Sequence, residues 1–338
     1  MEFNGTLTTI GSLPCISAEK SCEVLLKYTP ELPAWPQLPK KSFKENMYVQ
    51  YSENFPGITI DEENQKVYII TKDTYSQLEK FYEHFLSNDF EHFAISKDYA
   101  AGFHQLINSG VVFNGIKCQT TGPITFGLSI KDENGQSIFY DAQLRDVVIK
   151  HITMKSLWQL NRFSLLNPKP SDVVLFLDEP YLAAYGSAFT AISREDITNS
   201  LQEVVRSIKK SNNLRIGVHC CANTDWSNLL DTDIDILSFD AYEFFDNLVL
   251  YIDKLIAFVN RGGVLSWGIV PTNEEAIAKE SNESLSARLK KYIKILKDKG
   301  VQEQKILKQC IITPACGLGS KSEETATKVL ELLKDIKV

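Results

Sequence analysis

Residues 173–180 read VVLFLDEP, residues 214–221 LRIGVHCC, residues 235–240 DILSFD, residues 263–268 GVLSWG and residues 309–317 QCIITPACG. Each contains a short β-branched or apolar run, continuous rather than alternating, as a strand covered on both faces should be. Between the runs lie amphipathic stretches at about 194–211, 225–231, 245–261, 274–299 and 321–337. Short strands alternating with longer helices are the signature of a parallel sheet. Upstream, Thr6–Ile10 (TLTTI) and Ile116–Thr121 (IKCQTT) read as further strands, the second preceding a long helical stretch at 138–166. Leu32–Leu38 (LPAWPQL) is the remaining candidate, although its prolines suit a sheet interior badly.

With it the strand runs number eight, which closes a (β/α)8 TIM barrel. Such a barrel takes roughly 250 residues, and this chain has 338. The expectation is an α/β fold: a single TIM-barrel domain over residues 1–338, with an insertion at about 40–112 between early strands. Within the insertion, GITIDEENQKVYII (57–70) reads as a β-hairpin over a polar turn, and 73–110 as two helices. No Gly/Ser linker, repeat or charged block marks a second domain. An open doubly wound sheet is the alternative arrangement of the same elements.

Composition bounds the function. At 43% hydrophobic and 23% charged residues the chain is ordinary globular material, not collagen-like or disordered. Lys and Arg total 36 against 43 Asp and Glu, a net charge of −7 that argues against nucleic acid or an anionic membrane as partner. No apolar run approaches the roughly 20 residues of a membrane helix, and MEFNGTLTTIGSLP lacks the pattern of a signal peptide. Seven cysteines, odd in number and without rhythm, do not make a disulfide framework. The expectation is a soluble cytoplasmic protein with reduced thiols.

The unusual residues fall just after the strand runs. They are Gly11-Ser12, Gly122-Pro123, Asp178-Glu179-Pro180, His219-Cys220-Cys221, Asp240, and Pro314 with Cys316 and Gly317. In a barrel all of these share the C-terminal rim, where such folds carry their sites. His-x-Cys on an extended segment points two ligands to one side. One N and two S ligands suit zinc, and three protein ligands leave a position open. His219, Cys221 and Cys316 are therefore the expected metal set, with Asp240 as fourth ligand. The alternative is buried small cysteines and a hydrogen-bonded core histidine; a third ligand at another strand end favours the metal. Cys220 is expected to face away. Asp178 reads equally as a carboxylate for a cationic substrate group or an acid/base, or as a cap or rim ion pair. For Glu179 the cap is favoured. Gly317-Leu318-Gly319-Ser320 reads better as a turn than as an anion site.

In chain order, TIGSLP, TGPIT, FLDEP, VHCC, DILSFD and TPACGLG resemble the catalytic, C-terminal barrel of cobalamin-independent methionine synthase. They are also similar to the zinc methyltransferases of the uroporphyrinogen decarboxylase-like superfamily. The order holds from about residue 8 to 320, and NMYVQYSENFPG (46–57) is similar to a further stretch of those synthases. The resemblance implies a zinc methyltransferase that moves a methyl group to a thiol. It places the zinc ligands on His219, Cys221, Asp240 and Cys316, the substrate-amine carboxylate on Asp178, and the substrate-carboxylate loop on Ile10, Gly11 and Ser12. A zinc-bound thiol is deprotonated outright, whereas a free one is only a few per cent thiolate at neutral pH.

The chain departs from the synthases in three ways. It is too short for their second, N-terminal barrel. Their H-G-E motif, whose glutamate helps hold homocysteine, is replaced by PKKSFKENM. Their D-I-H-S-P histidine, important for transfer from the folate, is absent from LSWGIVPT. The expected acceptor is thus a homocysteine-like thiol, and the expected donor a methylcorrinoid, on a separate corrinoid protein, rather than methyl-tetrahydrofolate. Two rivals remain in view. One is a uroporphyrinogen decarboxylase-like enzyme, disfavoured because the first 50 residues contain no Arg. The other is a non-catalytic zinc- or corrinoid-binding accessory protein.

Overall fold

The computed structural model of the chain describes residues 2–187, 190–210 and 214–338. Its strands are β1 (Thr6–Leu7), β2 (Ile58–Asp61), β3 (Lys66–Ile69), β4 (Gly115–Thr121), β5 (Asp172–Asp178), β6 (Arg215–Cys220), β7 (Ile236–Phe239), β8 (Val264–Val270) and β9 (Cys310–Pro314). Seven of them form one curled sheet in the order β1-β9-β8-β7-β6-β5-β4, and every pair in it is parallel. β2 and β3 form the anticipated antiparallel hairpin.

The two edges of the sheet are joined by residues 33–37. Ala34 bridges Lys117 of β4, whose amide donates to Pro33 O at 2.9 Å. At the other edge Gln37 bridges Ser12, its amide donating to Gly11 O at 3.1 Å while Leu13 N donates to Gln37 O at 2.9 Å. This is the proline-bearing eighth position, and it holds isolated bridges instead of a ladder because Pro33 and Pro36 have no N–H to give. Side chains take over the pairing. Thr8 Oγ1 donates to Leu32 O at 2.7 Å, Gln119 Nε2 to Trp35 O at 2.7 Å, and Trp35 Nε1 to Gln159 Oε1 at 2.9 Å. The architecture is that of a TIM barrel.

Around the sheet lie α1 (Ala18–Tyr28), α2 (Thr71–Leu86), α3 (Ala101–Ile107), α4 (Pro123–Ser129), α5 (Ala142–Ser164), α6 (Arg194–Lys209), α7 (Ser227–Leu230), α8 (Ala241–Val249), α9 (Ile252–Asn260), α10 (Glu274–Ile277), α11 (Asn282–Asp298), α12 (Glu303–Lys308) and α13 (Glu323–Lys334). The stretches expected as single helices at 245–261 and 274–299 are each divided. The second breaks at Ser281, whose side chain caps α11 by accepting from Ser284 N. The end of the helix expected at 194–211 falls outside the described residues. None of the described helices is long and apolar enough to cross a membrane.

The barrel interior changes chemistry with height. Phe3, Leu32, Val174, Phe176, Ile236, Val264 and Ile311 pack into an apolar layer. Period-two alternation then carries the same strands upward to other residue types. Above Phe176 on β5 comes Asp178, and above Ile236 on β7 comes Ser238. Asp178 pairs in register with His219, His219 with Ser238, and Ser238 with Ser266. On β4 the residue in register with Asp178 is Thr121, while Lys117 and Gln119 lie lower, level with Val174 and Phe176 of the apolar layer, and all of these polar residues are buried. The polar layer lies at the C-terminal ends of the strands and forms the floor of the site.

Candidate metal centre

His219 is buried near the end of β6. Its Nδ1 lies 2.9 Å from Ser238 Oγ, and its buried Nε2 has no partner. When Nδ1 donates to the serine, Nε2 keeps a lone pair that a metal ion could take. Cys221 follows β6, Cys316 follows β9, and the ligand atoms of His219, Cys221 and Cys316 all lie within 4.8 Å of one another. It is the one such group among the described residues. Zinc binds His N at about 2.0 Å and Cys S at about 2.3 Å in tetrahedral geometry, so the trio needs little contraction to take an ion. Its electrostatics point the same way. A hydrogen bond from Cys221 and the nearby His219 hold the Cys316 thiol well below its ordinary range, against the effect of burial. The same bond, with burial, pushes Cys221 far up. One imidazole nitrogen and two cysteine sulfurs, with the Cys316 thiol already held low, make a donor set that fits zinc.

Cys220 behaves as expected. It is buried away from the trio, its Sγ 3.4 Å from Ala222 O, and burial pushes its thiol up to about 12. Asp240 is not in that cluster of ligand atoms. It is the N-cap of α8, its Oδ1 accepting from Glu243 N at 2.9 Å. Its carboxyl is raised to about 6, chiefly by burial. One oxygen of the expected fourth ligand thus serves as a helix cap, a role an aspartate readily takes where a strand gives way to a helix.

Asp178 and Glu179 are adjacent buried carboxylates with opposite surroundings. Glu179 accepts from Ile124 N at 2.9 Å and Thr125 N at 2.7 Å, the unpaired amides that begin α4. A Cβ on Gly122 would lie 2.2 Å from its Oε1, so TGP and DEP are two halves of one lock. The cap favoured for Glu179 is what forms. Asp178, by contrast, has a buried Oδ1 with no partner. Burial raises its carboxyl to about 6, against the pull of Lys117 and His219.

Ile10, Ser12, Asp178, His219, Cys221 and Cys316 line one cavity of about 270 Å³. Gly11 between the first two has φ +131°, and a Cβ there would lie 2.6 Å from Gln119 Nε2, so only glycine fits. Gly317–Gly319 is the turn anticipated. Leu318 N donates to Ser12 O at 3.0 Å and Gly319 N to Ser12 Oγ at 3.2 Å, which fixes the serine at the cavity wall. A wider groove of about 650 Å³ runs along α10 and α13, and none of the strand-end residues lines it.

Several residues of the site were not anticipated. Lys117 is wholly buried, its Nζ donating to Ile10 O at 2.9 Å and Gln119 Oε1 at 3.2 Å and lying 4.5 Å from the Phe176 ring centroid. Burial lowers its pKa to about 8, against the pull of Asp178. Alternation in IKCQTT already placed Lys117 and Gln119 on one face, a signal that was available. Glu45, Asn46 and Met47 bring the stretch after the barrel's closing segment into the cavity wall. Glu45 is held there by Leu38 N at 3.0 Å and Ala101 N at 3.1 Å, and burial raises it to about 7.

No protein-family model matches this sequence, and no curated protein does. Solved structures do. A B12-independent methionine synthase from Shewanella sp. W3-18-1, in complex with selenomethionine, superposes with a TM-score of 0.57 at 12% identity, over 97% of this chain and 95% of that one. A protein from Listeria monocytogenes described as a candidate vitamin-B12-independent methionine synthase gives 0.55 at 14% identity, over 95% and 86%. A methyltransferase from Methanosarcina mazei gives 0.52 at 13% identity, over 94% and 84%. At these identities the likeness shows the fold.

Proposed function

We propose that this barrel is a zinc-dependent methyltransferase that moves a methyl group to a homocysteine-like thiol. One observation carries the reading: His219, Cys221 and Cys316 converge within 4.8 Å in a cavity that Asp178 and Ser12 also line. The solved structures of like fold, two methionine synthase-type proteins and a methyltransferase, agree with it.

Zinc held by these three residues would deprotonate a thiol at its open position and present a nucleophilic thiolate at neutral pH. The chain's own residues do the rest. Ser238 fixes the ring of His219 so that Nε2 faces the cysteines. Asp178 takes the acceptor's ammonium on its free oxygen, where the two charges offset each other out of water. The Ile10–Ser12 segment, held by Lys117 from below and by Gly319 from the side, receives the acceptor's carboxylate. A thiol anchored at both its amine and its carboxylate presents its sulfur to the trio in one orientation. Its carbon–sulfur bond to the methyl group forms as the bond between that methyl and the donor breaks. We take a methylcorrinoid, delivered by a corrinoid protein, as the donor, because the folate-related features of the synthases are absent from the sequence. A cavity beside the trio argues against a closed structural zinc, which would leave no open position.

The test is metal analysis of protein purified without oxygen, followed by methylcobalamin and methyl-tetrahydrofolate against a panel of thiols. About one zinc per chain and zinc-dependent transfer from methylcobalamin are expected. Zinc binding with no transfer from either donor would make the chain a binding protein, and no zinc after reconstitution would refute the site.

A further inference from the structure

Beyond the trio, the cavity wall carries side-chain oxygens that no donor of the chain engages. Asn46 lines it, and its buried Oδ1 has no partner, just as Asp178 Oδ1 has none. Gln37 lines it too, with its Nε2 committed to Gln50 Oε1 at 2.8 Å and Tyr51 Oη at 3.2 Å. Both N–H bonds of that amide are engaged, so Oε1 is the part left for a ligand. Asn46 is held in place by its backbone, its N–H donating to Phe43 O at 3.0 Å and its carbonyl accepting from Gln50 N at 2.8 Å. Next to it, Glu45 is pinned by two backbone amides, one on each oxygen.

Acceptors buried without donors are unfavourable, and a ligand that supplies the donors relieves them. A primary ammonium carries three N–H groups and one positive charge. Asp178, Asn46 and Gln37 offer three side-chain oxygens, and Asp178 a negative charge. We infer that Asn46, together with Gln37, is a specificity-determining residue of this cavity, its side-chain oxygen taking one N–H of an acceptor's primary ammonium while Asp178 takes the charge. This rests on the reading of the cavity as the acceptor-thiol site. It adds two neutral oxygens where the resemblance supplied one carboxylate, and it fills the place left by the missing glutamate with residues from another part of the same stretch.

The experiment compares two ligands that differ only in the amine, 2-amino-4-(methylthio)butyrate and 4-(methylthio)butyrate. Their binding to the zinc-loaded full chain is measured by calorimetry. Wild-type protein should favour the amine form. Asn46→Ala should lose about tenfold or more in affinity for it, with the amine-free ligand changed less than about threefold. Asn46→Asp, which keeps an oxygen there, should retain the preference, and Gln37→Met should reduce it. If Asn46→Ala does not fold, Asn46→Asp and Gln37→Met decide the matter alone. Equal losses for both ligands, or no loss for either, would overturn the assignment. So would a wild-type protein indifferent to the amine yet active in thiol methylation, an outcome that leaves the proposed function standing. Absence of methyl transfer to any thiol would instead count against that function, while the binding comparison still decides the role of Asn46.

Discussion

The arc from β5 to β9 and the segment that closes the barrel at residues 33–37 meet the same demand for backbone pairing in different ways. Along the arc every strand is held by a parallel ladder, and the inward side chains are left with bonds to spare. His219 Nε2, Asp178 Oδ1, Ser266 Oγ and Thr313 Oγ1 are all buried without partners. At the closure the prolines interrupt the ladder, and the side chains of Thr8, Gln119 and Lys117 bond backbone carbonyls in its place. Reactive groups sit where the backbone satisfies itself, and structural polar groups sit where it does not. Substitutions in the arc should therefore cost chemistry, and those that mimic the closure should cost stability.

The largest effect is expected at the trio. His219→Ala or Cys316→Ala should abolish metal binding and transfer while leaving the far-ultraviolet circular dichroism of the barrel in place. Ser238→Ala, which only orients the histidine, should weaken metal affinity by roughly 10–100-fold. Metal titration separates the two; equal effects would mean that His219 is not a ligand.

The adjacent carboxylates sharpen the comparison. Glu179→Ala strands two buried amides of α4 and should cost about 2–4 kcal/mol in urea denaturation. Asp178→Asn removes no hydrogen bond to its free oxygen and should change stability by less than about 1 kcal/mol. Its loss should appear in acceptor KM. If the stability ranking were reversed, Asp178 would be structural.

Two buried lysines give the pH dependence. Burial lowers Lys155, which donates to Ala94 O, to about 7 and Lys117 to about 8, from an ordinary 10.5. Between these values the unfolded chain binds more protons than the folded one, so stability rises with pH from about 7 to 10.5. Lys155→Met should flatten that rise when urea midpoints at neutral and alkaline pH are compared. An unchanged slope would show that Lys155 does not contribute to it.

The smallest effect separates the two readings of Asp240. Asp240→Ala should lose about 1 kcal/mol of cap, whereas Asp240→Asn, an equally good N-cap, should lose almost nothing and keep its metal. Metal loss in Asp240→Asn would restore it as a ligand.

The arc was legible in the sequence because strands covered on both faces write themselves as unbroken apolar runs. Val173–Leu177 differs from β5 by one residue at each end. The trio was legible because strand ends share a rim whatever their separation along the chain. The closure was harder: Lys117 and Ile10 lie 107 residues apart, and nothing local announces that a lysine amine will hold a strand-end carbonyl. The capping role of Asp240 has a local signal. In Asp240-Ala241-Tyr242-Glu243 a capping residue is followed three positions later by glutamate, a helix-start signature that competes with ligation. Helix α4 opens on proline and has seven residues and α12 has six, too short for a periodic signal, whereas the 11 residues of α1 behind the Ser17 cap carried one that was available.

The most direct measurement is the zinc content of anaerobically purified protein beside that of Cys316→Ala. About one zinc per wild-type chain and none in the variant is the predicted result. Wild-type protein that takes up no zinc on reconstitution would contradict it, leaving His219, Cys221 and Cys316 as packing residues and the barrel without a thiol-activating centre.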